Sequence, residues 1–455
     1  MDRLFATVTR EEVESDRHAR LYYLAFRNHH EPEDLLREWL GFWGRPWADP
    51  EAIRALRDRR VRKLVRHAWN NVPYYRRLLE AARVRPEEIR HAEDLKRLPI
   101  STKRERQRVP LEDKVARGVD LKRCVQRWTS GSTGQQDLVV RTRWEEHVLL
   151  AHRARMGLQV GVRPGYLSVN VGIQDTRRAL PHRLGLFPIT LLNPFLEPCK
   201  ILSELVRVRP DFIRALPNIL DRVVQEDVDK ELRQIGTKIV FCGSEVMAPA
   251  TWRRIEEGFG ARIIDIYGAH EFNMIAWSCL TCGSYHTVDD SVYLEVLKDG
   301  CPAAPGEEGE VVVTGLHSFA MPFIRFDTGD IARVPEVRRT FCRISFGAVE
   351  SLEGRACESI TLSNGSVINP ARLFRAVRQV EGVGRFQVVQ TGRDSIRVTV
   401  EPLPGADDPC SEVLHQCSIV FGNDVEVAVG SVVELTPVSS EKHRFIRALD
   451  RRQVP

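Results

Sequence analysis

Apolar residues recur at helical spacing near the start of the chain. Four of them between residues 61 and 68 fall on one face of a helix, and the Asn-Asn-Val-Pro stretch at 70–73 ends it. This pattern is typical of the whole region 10–97, which is therefore expected to be helical. The four apolar residues are Val61, Leu64, Val65 and Ala68.

Apolar runs alternate with helical patterns between about residues 120 and 270. Three runs have the length and periodicity of strands, and apolar residues at helical spacing lie between them. Strands that alternate with helices in this way indicate an α/β domain with a largely parallel sheet. The expected strands are 167–171, 238–242 and 261–267, and the expected helices are 217–225 and 251–258.

Two later regions differ from this pattern. Residues 291–350 are rich in strand patterns and Gly/Pro turns, which indicates a β-rich subdomain. After residues 352–355 the composition changes, and strands and helices alternate over about a hundred residues. The strands expected there are 386–389, 396–400 and a third near 425–428, and the helices are 370–380 and one near 411–420.

The expected fold class is α/β. A large N-terminal domain, residues 1–353, would contain mostly parallel sheets, the β-rich subdomain and a helical region over about residues 1–100. A small, mobile α+β domain would follow at 354–455, which is within the usual size range of a domain. A length of 455 residues also exceeds a single typical core.

Charge and composition argue against a membrane or a nucleic acid as partner. The net charge of +5 is spread along the chain, and 43% hydrophobic and 28% charged residues are typical of a soluble globular protein. No run approaches the roughly 20 apolar residues of a membrane span. The Arg-rich stretch at 54–66 is interleaved with apolar residues, which indicates a solvated helix face rather than a nucleic-acid site. We expect neither a membrane nor a nucleic acid as partner.

Cysteine usage and the N-terminus bear on the compartment. The ten cysteines are scattered, and the chain does not begin with the basic start and apolar run of a signal peptide. We therefore expect reduced thiols or metal ligands, and a cytoplasmic protein.

Six consecutive small residues form the most informative segment. They lie between Trp128 and an apolar run at 138–140, so a loop between two strands is expected. Glycines let backbone N–H groups approach a ligand and hydroxyls donate to phosphate oxygens, so such a loop can bind a polyanion. It lacks the Gly-Lys-Ser/Thr ending of a P-loop, and a flexible linker is the alternative. The six residues are Thr129, Ser130, Gly131, Ser132, Thr133 and Gly134.

Three further segments carry groups that suit a nucleotide. Tyr267, Gly268 and Glu271 follow an expected strand, where a ring can stack on a base and a carboxylate can hold a magnesium ion. Asp330 follows a Thr-Gly turn and can accept two hydrogen bonds from a ribose diol. Lys442 lies in a polar loop among other donors. Taken separately, each has a structural alternative, namely a turn, a surface acid or a solvated charge.

The order and spacing of these segments resemble the adenylate-forming superfamily of acyl-CoA synthetases and adenylation domains. The resemblance runs from about residue 60 to the end, and it is greatest to the branch of phenylacetate-CoA ligase-like, capsular-polysaccharide-type and deazaflavin-adenylating synthetases. Segments at 67–75 and 98–103 are similar to that branch in particular. The hydroxyl-rich loop resembles the family's phosphate loop, and Gly354-Arg355 resembles its interdomain hinge. Gly243, Ser244 and Glu245 resemble the segment that borders the adenine.

The resemblance implies two half-reactions, with ATP, magnesium and coenzyme A taking part. A carboxylate attacks the α-phosphate of ATP, pyrophosphate leaves, and an acyl-adenylate forms. By resemblance, Lys442 bridges the carboxylate and the α-phosphate, Glu271 holds Mg²⁺ and Tyr267 faces the adenine. Asp330 grips the ribose. The small domain then rotates at Arg355 and admits the acceptor, usually the thiol of coenzyme A in relatives.

Four features depart from the family pattern. Gln135 replaces a basic residue that often follows the phosphate loop, His270 replaces a Thr or Ser before the glutamate, and Cys357 replaces an acidic residue of the hinge. The first 55 or so residues match nothing in the family. Gln135 bears on a pyrophosphate contact, His270 on phosphate or carboxylate binding, and Cys357 on the rotation. None of the departures removes a residue essential to adenylation, and the second half-reaction is the step expected to differ.

A metal site is a further expectation. Cys279, Cys282 and His286 form a C-x2-C-x3-H arrangement, and Cys342 lies later, in a β-rich stretch that can fold back. Thiolates and imidazole are the usual ligands of structural zinc. Some members of the branch have Cys/His residues in these two places, the second usually a Cys-x-Cys pair, whose second cysteine is replaced here by Ile344. The alternatives are a zinc site formed by the four residues, or reduced cysteines with a hydrogen-bonded histidine.

The sequence thus predicts an ATP-dependent ligase that forms an acyl-adenylate from an aromatic or small organic acid and transfers the acyl group to coenzyme A. One alternative passes the activated group to an amine or another acceptor. A second is an inactive scaffold that binds nucleotide. Against the scaffold stand the charged groups of Glu271, Asp330, Arg355 and Lys442, which an inactive copy has little reason to keep together.

Overall fold

The structure, a computed structural model, describes most of the chain from residue 41 onward. None of the described helices has both the length and the apolar character needed to cross a membrane. The described residues are 41–128, 137–172, 185, 187–243, 249–337, 342–355, 360–368, 373, 376–377, 380–403, 405–422, 425–433, 435 and 446–447.

The described α-helices and strands are numbered here in chain order. Helices α1 to α10 are Pro50–Asn71, Pro73–Ala81, Lys103–Gln107, Leu111–Lys114, Arg143–Gln159, Pro198–Val208, Pro217–Glu226, Glu231–Gln234, Pro249–Phe259 and Cys410–Phe421. Strands β1 to β11 are Val125–Trp128, Leu138–Arg141, Ser168–Val171, Ile189–Leu192, Phe212–Arg214, Ile239–Gly243, Arg262–Tyr267, Ala276–Ser278, Tyr285–Thr287, Val292–Lys298 and Cys301–Pro302. Strands β12 to β21 are Glu308–Gly315, Phe326–Arg333, Ala348–Val349, Ser351–Arg355, Ile360–Thr361, Val367–Ile368, Val383–Gly392, Ser395–Pro402, Glu426–Ser431 and Ile446–Arg447.

Helices dominate the first part of the described chain. Asp49 caps helix α1, because its carboxylate accepts hydrogen bonds from first-turn N–H groups, and Pro50 occupies the first position of the helix. The helix ends before Pro73, whose ring starts α2 and cannot continue the ladder of α1. Residues from both helices, including Leu64 and Tyr75, form one buried cluster.

An eight-stranded sheet forms the centre of the fold, in the order β14-β9-β8-β7-β6-β5-β3-β4. The five strands from β4 to β7 are parallel, and β8, β9 and β14 extend the sheet antiparallel. Residues of α6, α7 and α9 pack on one face, and Met156 of α5 belongs to the cluster on the other. The carboxyl ends of the parallel strands therefore meet at one edge, where such sheets bind ligands.

A second sheet of five antiparallel strands has the order β11-β10-β12-β13-β15. Val311, Val313 and Phe326 bury their side chains in a cluster that also contains residues of β2, so this sheet packs beside the β1–β2 hairpin. The sheet corresponds to the β-rich subdomain expected at 291–350, and strands β13 and β15 bring two expected site segments together.

The C-terminal part has its own sheet, in the order β20-β19-β18-β21. The central pair β18–β19 is antiparallel and both outer pairs are parallel. Side chains of the sheet and of α10 form a separate buried cluster drawn entirely from residues 360–421. A separate core is typical of a separate domain, and the boundary at 353/354 stays a prediction.

The α/β class is confirmed, and the parallel part of the main sheet comprises five of its eight strands. The strands expected at 167–171, 238–242 and 261–267 and the helices expected at 217–225 and 251–258 are present to within two residues at each end. The helix expected at 370–380 lies largely outside the described residues, as does the N-terminal part of the helical region.

Candidate functional site

A β-hairpin carries the expected phosphate loop. Strands β1 and β2 pair antiparallel, from Val125 with Arg141 to Trp128 with Leu138, so the two ends of the loop are held side by side. The two strands expected on either side of the loop are thus present. The loop residues Thr129, Ser130, Gly131, Ser132, Thr133 and Gly134, and Gln135 after them, lie outside the described residues, so phosphate binding stays a prediction.

Two arginines tie the base of the hairpin to its surroundings. Arg141 Nη1 donates to Glu146 Oε2 at 2.9 Å, and its Nη2 donates to the backbone carbonyl of His270. Arg127 forms a second ion pair with Glu146. Burial would raise the pKa of Glu146, but the two guanidinium groups hold that pKa below its ordinary value. The hairpin is therefore fixed to the turn that follows β7.

Tyr267 and Asp330 meet across the two sheets of the N-terminal part. Tyr267 is the last residue of β7, and its hydroxyl donates to Asp330 Oδ2 at 2.7 Å. The N–H of Asp330 donates to Thr328 Oγ1 at 3.2 Å, and that hydroxyl donates to the carbonyl of Val311 at 2.9 Å. The expected adenine-facing ring and the expected ribose-binding carboxylate are thus neighbours.

The pairing of β13 with β15 places the backbone of the expected hinge next to Asp330. Asp330 of β13 lies opposite Arg355 of β15, and Ile331 lies opposite Gly354. The backbone of the hinge motif therefore begins beside the expected ribose site. The side chain of Arg355 lies outside the described part of the structure, and its role stays a prediction.

At two of the expected site glycines, another stretch of backbone lies so close that a side chain would not fit. A Cβ on Gly268 would lie 2.0 Å from the carbonyl oxygen of Asn273, in the tight turn where the Asn273 N–H donates to Ala269 at 2.7 Å. A Cβ on Gly243 would lie 2.4 Å from the carbonyl oxygen of Ile266. Only glycine fits at either position without a shift of the backbone.

Glu271 lies in the same turn and is 8% exposed. Burial raises the pKa of its carboxyl, the charges of Lys103 and Arg141 oppose that rise, and the carboxylate of Asp137 adds to it. Mg²⁺ in nucleotide sites is commonly held by one or two carboxylates together with phosphate oxygens. Asp137 is itself paired with Lys114 at 3.3 Å, so Glu271 is the carboxylate here that fits a magnesium ion bound to a polyphosphate.

Neither Asp137 nor Arg141 stands out in the sequence, and Lys103 is visible there only as part of a branch-specific segment. The signal that the sequence offers for Asp137 and Arg141 is their position: Asp137 lies three residues after the phosphate loop, and Arg141 lies at the end of β2. Their approach to Glu271 depends on how the hairpin folds against the β7 turn, which spacing along the chain does not reveal.

Segment 98–103 has a structural role that its sequence does not disclose. Arg325 donates to the carbonyl of Leu98 at 2.6 Å and pairs with Glu295 at 3.1 Å. The N–H of Ser101 donates to the carbonyl of Arg325 at 2.8 Å, and the N–H of Asp327 donates to that of Ser101 at 3.0 Å. The segment therefore supports the strand that carries the expected ribose-binding aspartate.

Several expected residues cannot be placed in this geometry. Ser244 and Glu245, which follow Gly243, lie outside the described residues. The same holds for Lys442 and for Cys357.

Cys279, Cys282, His286 and Cys342 converge, and their candidate ligand atoms all lie within 4.8 Å of one another. Cys279 Sγ and Cys342 Sγ are 3.8 Å apart, and His286 Nε2 lies 3.4 Å from Cys282 Sγ and 3.2 Å from Cys342 Sγ. A tetrahedron with Zn–S bonds of about 2.3 Å has S···S edges of about 3.8 Å. The four side chains therefore fit zinc, although the second cysteine of the usual pair is absent.

Comparisons with known proteins agree with this geometry. Residues 178–321, which include the Gly243 and Glu271 segments, match the family model of the AMP-binding enzymes. The chain is 28% identical over 443 residues to the phenylacetate-coenzyme A ligase of Escherichia coli K12, covering 90% of this chain and 97% of that one. It is also 28% identical over 443 residues to the phenylacetate-coenzyme A ligase of Aromatoleum evansii, covering 89% and 96%.

A solved structure shows the same fold. It is a 2-hydroxyisobutyryl-CoA ligase in the postadenylation state, with a TM-score of 0.72, 22% identity, and coverage of 88% of this chain and 89% of that chain. The similarity to the two curated ligases and the match to the AMP-binding model agree with the motif order seen in the sequence. Together, the AMP-binding match and the similarity to phenylacetate-coenzyme A ligases support the adenylate-forming superfamily, in its phenylacetate-CoA ligase-like branch, as the family that this chain resembles.

Proposed function

We propose that this protein is an ATP-dependent acid–CoA ligase that works through an acyl-adenylate. The observation that carries the proposal is the meeting of Tyr267 and Asp330 at the carboxyl edge of the parallel sheet, with the backbone of Arg355 alongside. The similarity to phenylacetate-coenzyme A ligases over 90% of the chain supports it.

The nucleotide lies along this edge in the proposed complex. Tyr267 offers its ring to the adenine, and Asp330 accepts hydrogen bonds from the ribose diol. Because the tyrosine hydroxyl already donates to Asp330 Oδ2, the carboxylate is held in one orientation before ATP arrives. Lys103 and Arg141 supply positive charge on the side where the phosphates would lie.

Glu271 would hold the magnesium ion. When bound, the ion offsets the negative charge of the phosphates. Lys442 stabilises the charge that develops as the substrate carboxylate attacks the α-phosphorus and pyrophosphate leaves. Rotation of the C-terminal part at Arg355 then withdraws the lysine and admits the thiol of coenzyme A, which displaces AMP.

The acid is proposed to be aromatic or a small organic acid. The similarity to phenylacetate-coenzyme A ligases supports an aromatic acid, and the likeness to a ligase of 2-hydroxyisobutyrate concerns the fold alone.

Product analysis tests this proposal. The protein is incubated with ATP, magnesium, coenzyme A and a panel of aryl and short aliphatic acids, and the products are separated and identified by mass. We expect AMP, pyrophosphate and a coenzyme A thioester with at least one acid. Formation of ADP, or an adenylate that reacts only with added amines, would contradict the proposed reaction or its acceptor, respectively.

Substituting Asp330 by alanine is expected to weaken ATP binding about 10- to 100-fold, because two hydrogen bonds to a charged acceptor are lost. Calorimetric titration with ATP measures the change, and Asp229→Ala, at an exposed position, is the matched control. An affinity equal to that of the control would contradict the ribose contact.

The Cys279, Cys282, His286 and Cys342 group is proposed to hold a structural zinc ion. Three of its residues belong to the β8–β9 hairpin and the fourth is Cys342, and none of them is among the residues proposed to bind the nucleotide. Zinc bound there would join these two parts of the chain, and binding energy of this kind contributes to folding.

Metal analysis of the purified protein is expected to give one zinc per chain. Cys282→Ser should lose the metal and lower the Tm by about 5 °C or more, the size of shift that a loss of about 2 kcal/mol gives in a large domain. Cys301→Ser, at an exposed cysteine outside the group, should retain both metal and Tm. Metal-free wild-type protein with an unchanged Tm after chelation would overturn the zinc proposal.

A further inference from the structure

Two arginines lie where helix α5 meets the carboxyl ends of the parallel strands. Arg214 is the last residue of β5, in register with Asn170 of β3 and Phe241 of β6. Adjacent residues in register point to the same face of a sheet. Arg153 lies one turn before Met156 of α5, which packs in the same cluster as Phe241. Both guanidinium groups are therefore assigned to the space between α5 and the face of the sheet that carries Phe241.

No carboxylate within the described residues forms an ion pair with either arginine. Arg153 Nη1 donates to the side-chain oxygen of Asn273 at 3.2 Å, which is a neutral acceptor. The acid whose field reaches Arg153 is Glu146, and that carboxylate is already paired with Arg127 and Arg141. The space thus has an excess of positive charge.

The excess charge is costly for the fold. Burial and the repulsion of Arg214 lower the pKa of Arg153 well below its usual value, and burial lowers the pKa of Arg214 to about 10. Both groups are still protonated at neutral pH. Both side chains are partly exposed, and the space between α5 and this face of the sheet is called the recess below. A charge left without a partner in such a recess is typical of a binding site.

Arg155, two residues further along the same helix, shows the contrast. Its guanidinium makes two bonds of 2.7 Å to the carboxylate of Asp290, which is fully buried. Arg254 is likewise held by Asp221, at 2.8 and 2.9 Å. Arg155 and Arg254 thus each have an acid partner, whereas Arg153 and Arg214 have none among the described residues.

The recess lies to one side of the proposed nucleotide site. Strand β5 is separated from β7, which ends at Tyr267, by strand β6. Two strand spacings amount to about 10 Å, so Arg214 is set away from the ring expected to face the adenine. The cations that act on Glu271 are Lys103 and Arg141. The position therefore suits a part of the acid substrate remote from the reacting carboxylate.

We propose that Arg153 and Arg214 bind a second carboxylate of the acid substrate, so that the preferred substrate is a dicarboxylic acid. This inference rests on the proposed acid–CoA ligase function and names its substrate class. One carboxylate reacts at the α-phosphate, and the other supplies the acid partner that the two arginines lack among the described residues. Both would be specificity-determining residues.

The test compares aromatic and aliphatic dicarboxylates with their monoamides, which keep the shape and remove one charge. For each acid, kcat/KM is measured by pyrophosphate exchange in the wild type and in Arg214→Gln, Arg153→Gln and the control Arg163→Gln. Arg163 is exposed and lies beyond the far end of α5. Binding of each acid to the ATP-free protein is measured separately by calorimetry.

We expect the wild type to prefer one dicarboxylate over its monoamide by about 10- to 100-fold, the range for hydrogen bonds between charged groups. Arg214→Gln and Arg153→Gln should remove that preference. The KM for ATP and the kcat/KM for the monoamide should stay within about threefold of the wild-type values. Their Tm should be unchanged or higher, because a cation without a partner is removed. The control should behave as the wild type.

Three results would overturn the inference. They are equal use of dicarboxylates and monoamides by the wild type, a rise in the KM for ATP in the variants, and a lower Tm that indicates a structural ion pair. The two assays also separate the two proposals. Dicarboxylate binding that depends on Arg214, without exchange, would reject the ligase function and retain the anion site. Exchange with monoacids alone would reject the anion site and retain the ligase.

Discussion

Replacement of Lys442 by alanine is expected to lower the rate of adenylate formation about 10³-fold while ATP affinity stays nearly unchanged. Lys442 is proposed to meet the charge that develops between the carboxylate and the α-phosphate, and removing one such charge-stabilising donor typically costs about 10²- to 10³-fold in rate. The ground state of bound ATP is held by other groups, among them Asp330. The measurements are single-turnover formation of the adenylate and calorimetric ATP binding.

The second half-reaction provides an internal control for this variant. If the C-terminal part withdraws Lys442 before the thiol attacks, the Lys442→Ala protein should convert a chemically prepared acyl-adenylate and coenzyme A to thioester at close to the wild-type rate. Undiminished adenylate formation in the variant would contradict the role given to Lys442. Equal losses in both half-reactions would point to a folding defect or to a role of the lysine throughout.

Glu271→Gln is expected to lower kcat for adenylation by about 10³-fold, because a carboxylate that holds the metal is replaced by a neutral amide of the same shape and the metal's electrostatic stabilisation is worth several kcal/mol. The loss should shrink as magnesium is raised. Glu256→Gln, at an exposed position of α9, is the matched control. Full activity of Glu271→Gln at low magnesium would exclude the carboxylate as a metal ligand.

Burial also predicts a pH dependence for the same residue. Because burial raises the pKa of Glu271, its carboxyl is protonated at a higher pH than an ordinary glutamate, and a protonated carboxyl does not bind Mg²⁺. The apparent magnesium affinity of the wild type should therefore fall as pH falls through that raised pKa. A magnesium affinity that stays constant down to the ordinary pKa of a glutamate would contradict this assignment.

Local signals in the sequence were enough for much of the fold. The strand ending at Tyr267 and the hairpin around the hydroxyl-rich loop follow from apolar runs bounded by glycine and polar residues, and both are present. The resemblance groups Cys342 with Cys279, Cys282 and His286, and the structure brings the four side chains together.

Contacts between distant parts of the chain were not visible in the sequence. Arg325 belongs to the Asp330 motif, yet its side chain is committed to Glu295 and the carbonyl of Leu98. Arg153 and Arg214 each look like an ordinary charged residue at an amphipathic position. Their lack of an acid partner among the described residues becomes apparent only when helix α5 is packed on the sheet.

The most direct test of the central claim is acid-dependent exchange of labelled pyrophosphate into ATP, measured without coenzyme A. This exchange requires a reversible step in which a carboxylate displaces pyrophosphate from ATP, so it reports adenylation whatever the acceptor is. We predict exchange that depends on an added acid and on magnesium, and that is lost in Lys442→Ala. Absence of exchange with every acid, in a protein shown by calorimetry to bind ATP, would contradict the ligase function and favour a nucleotide-binding scaffold.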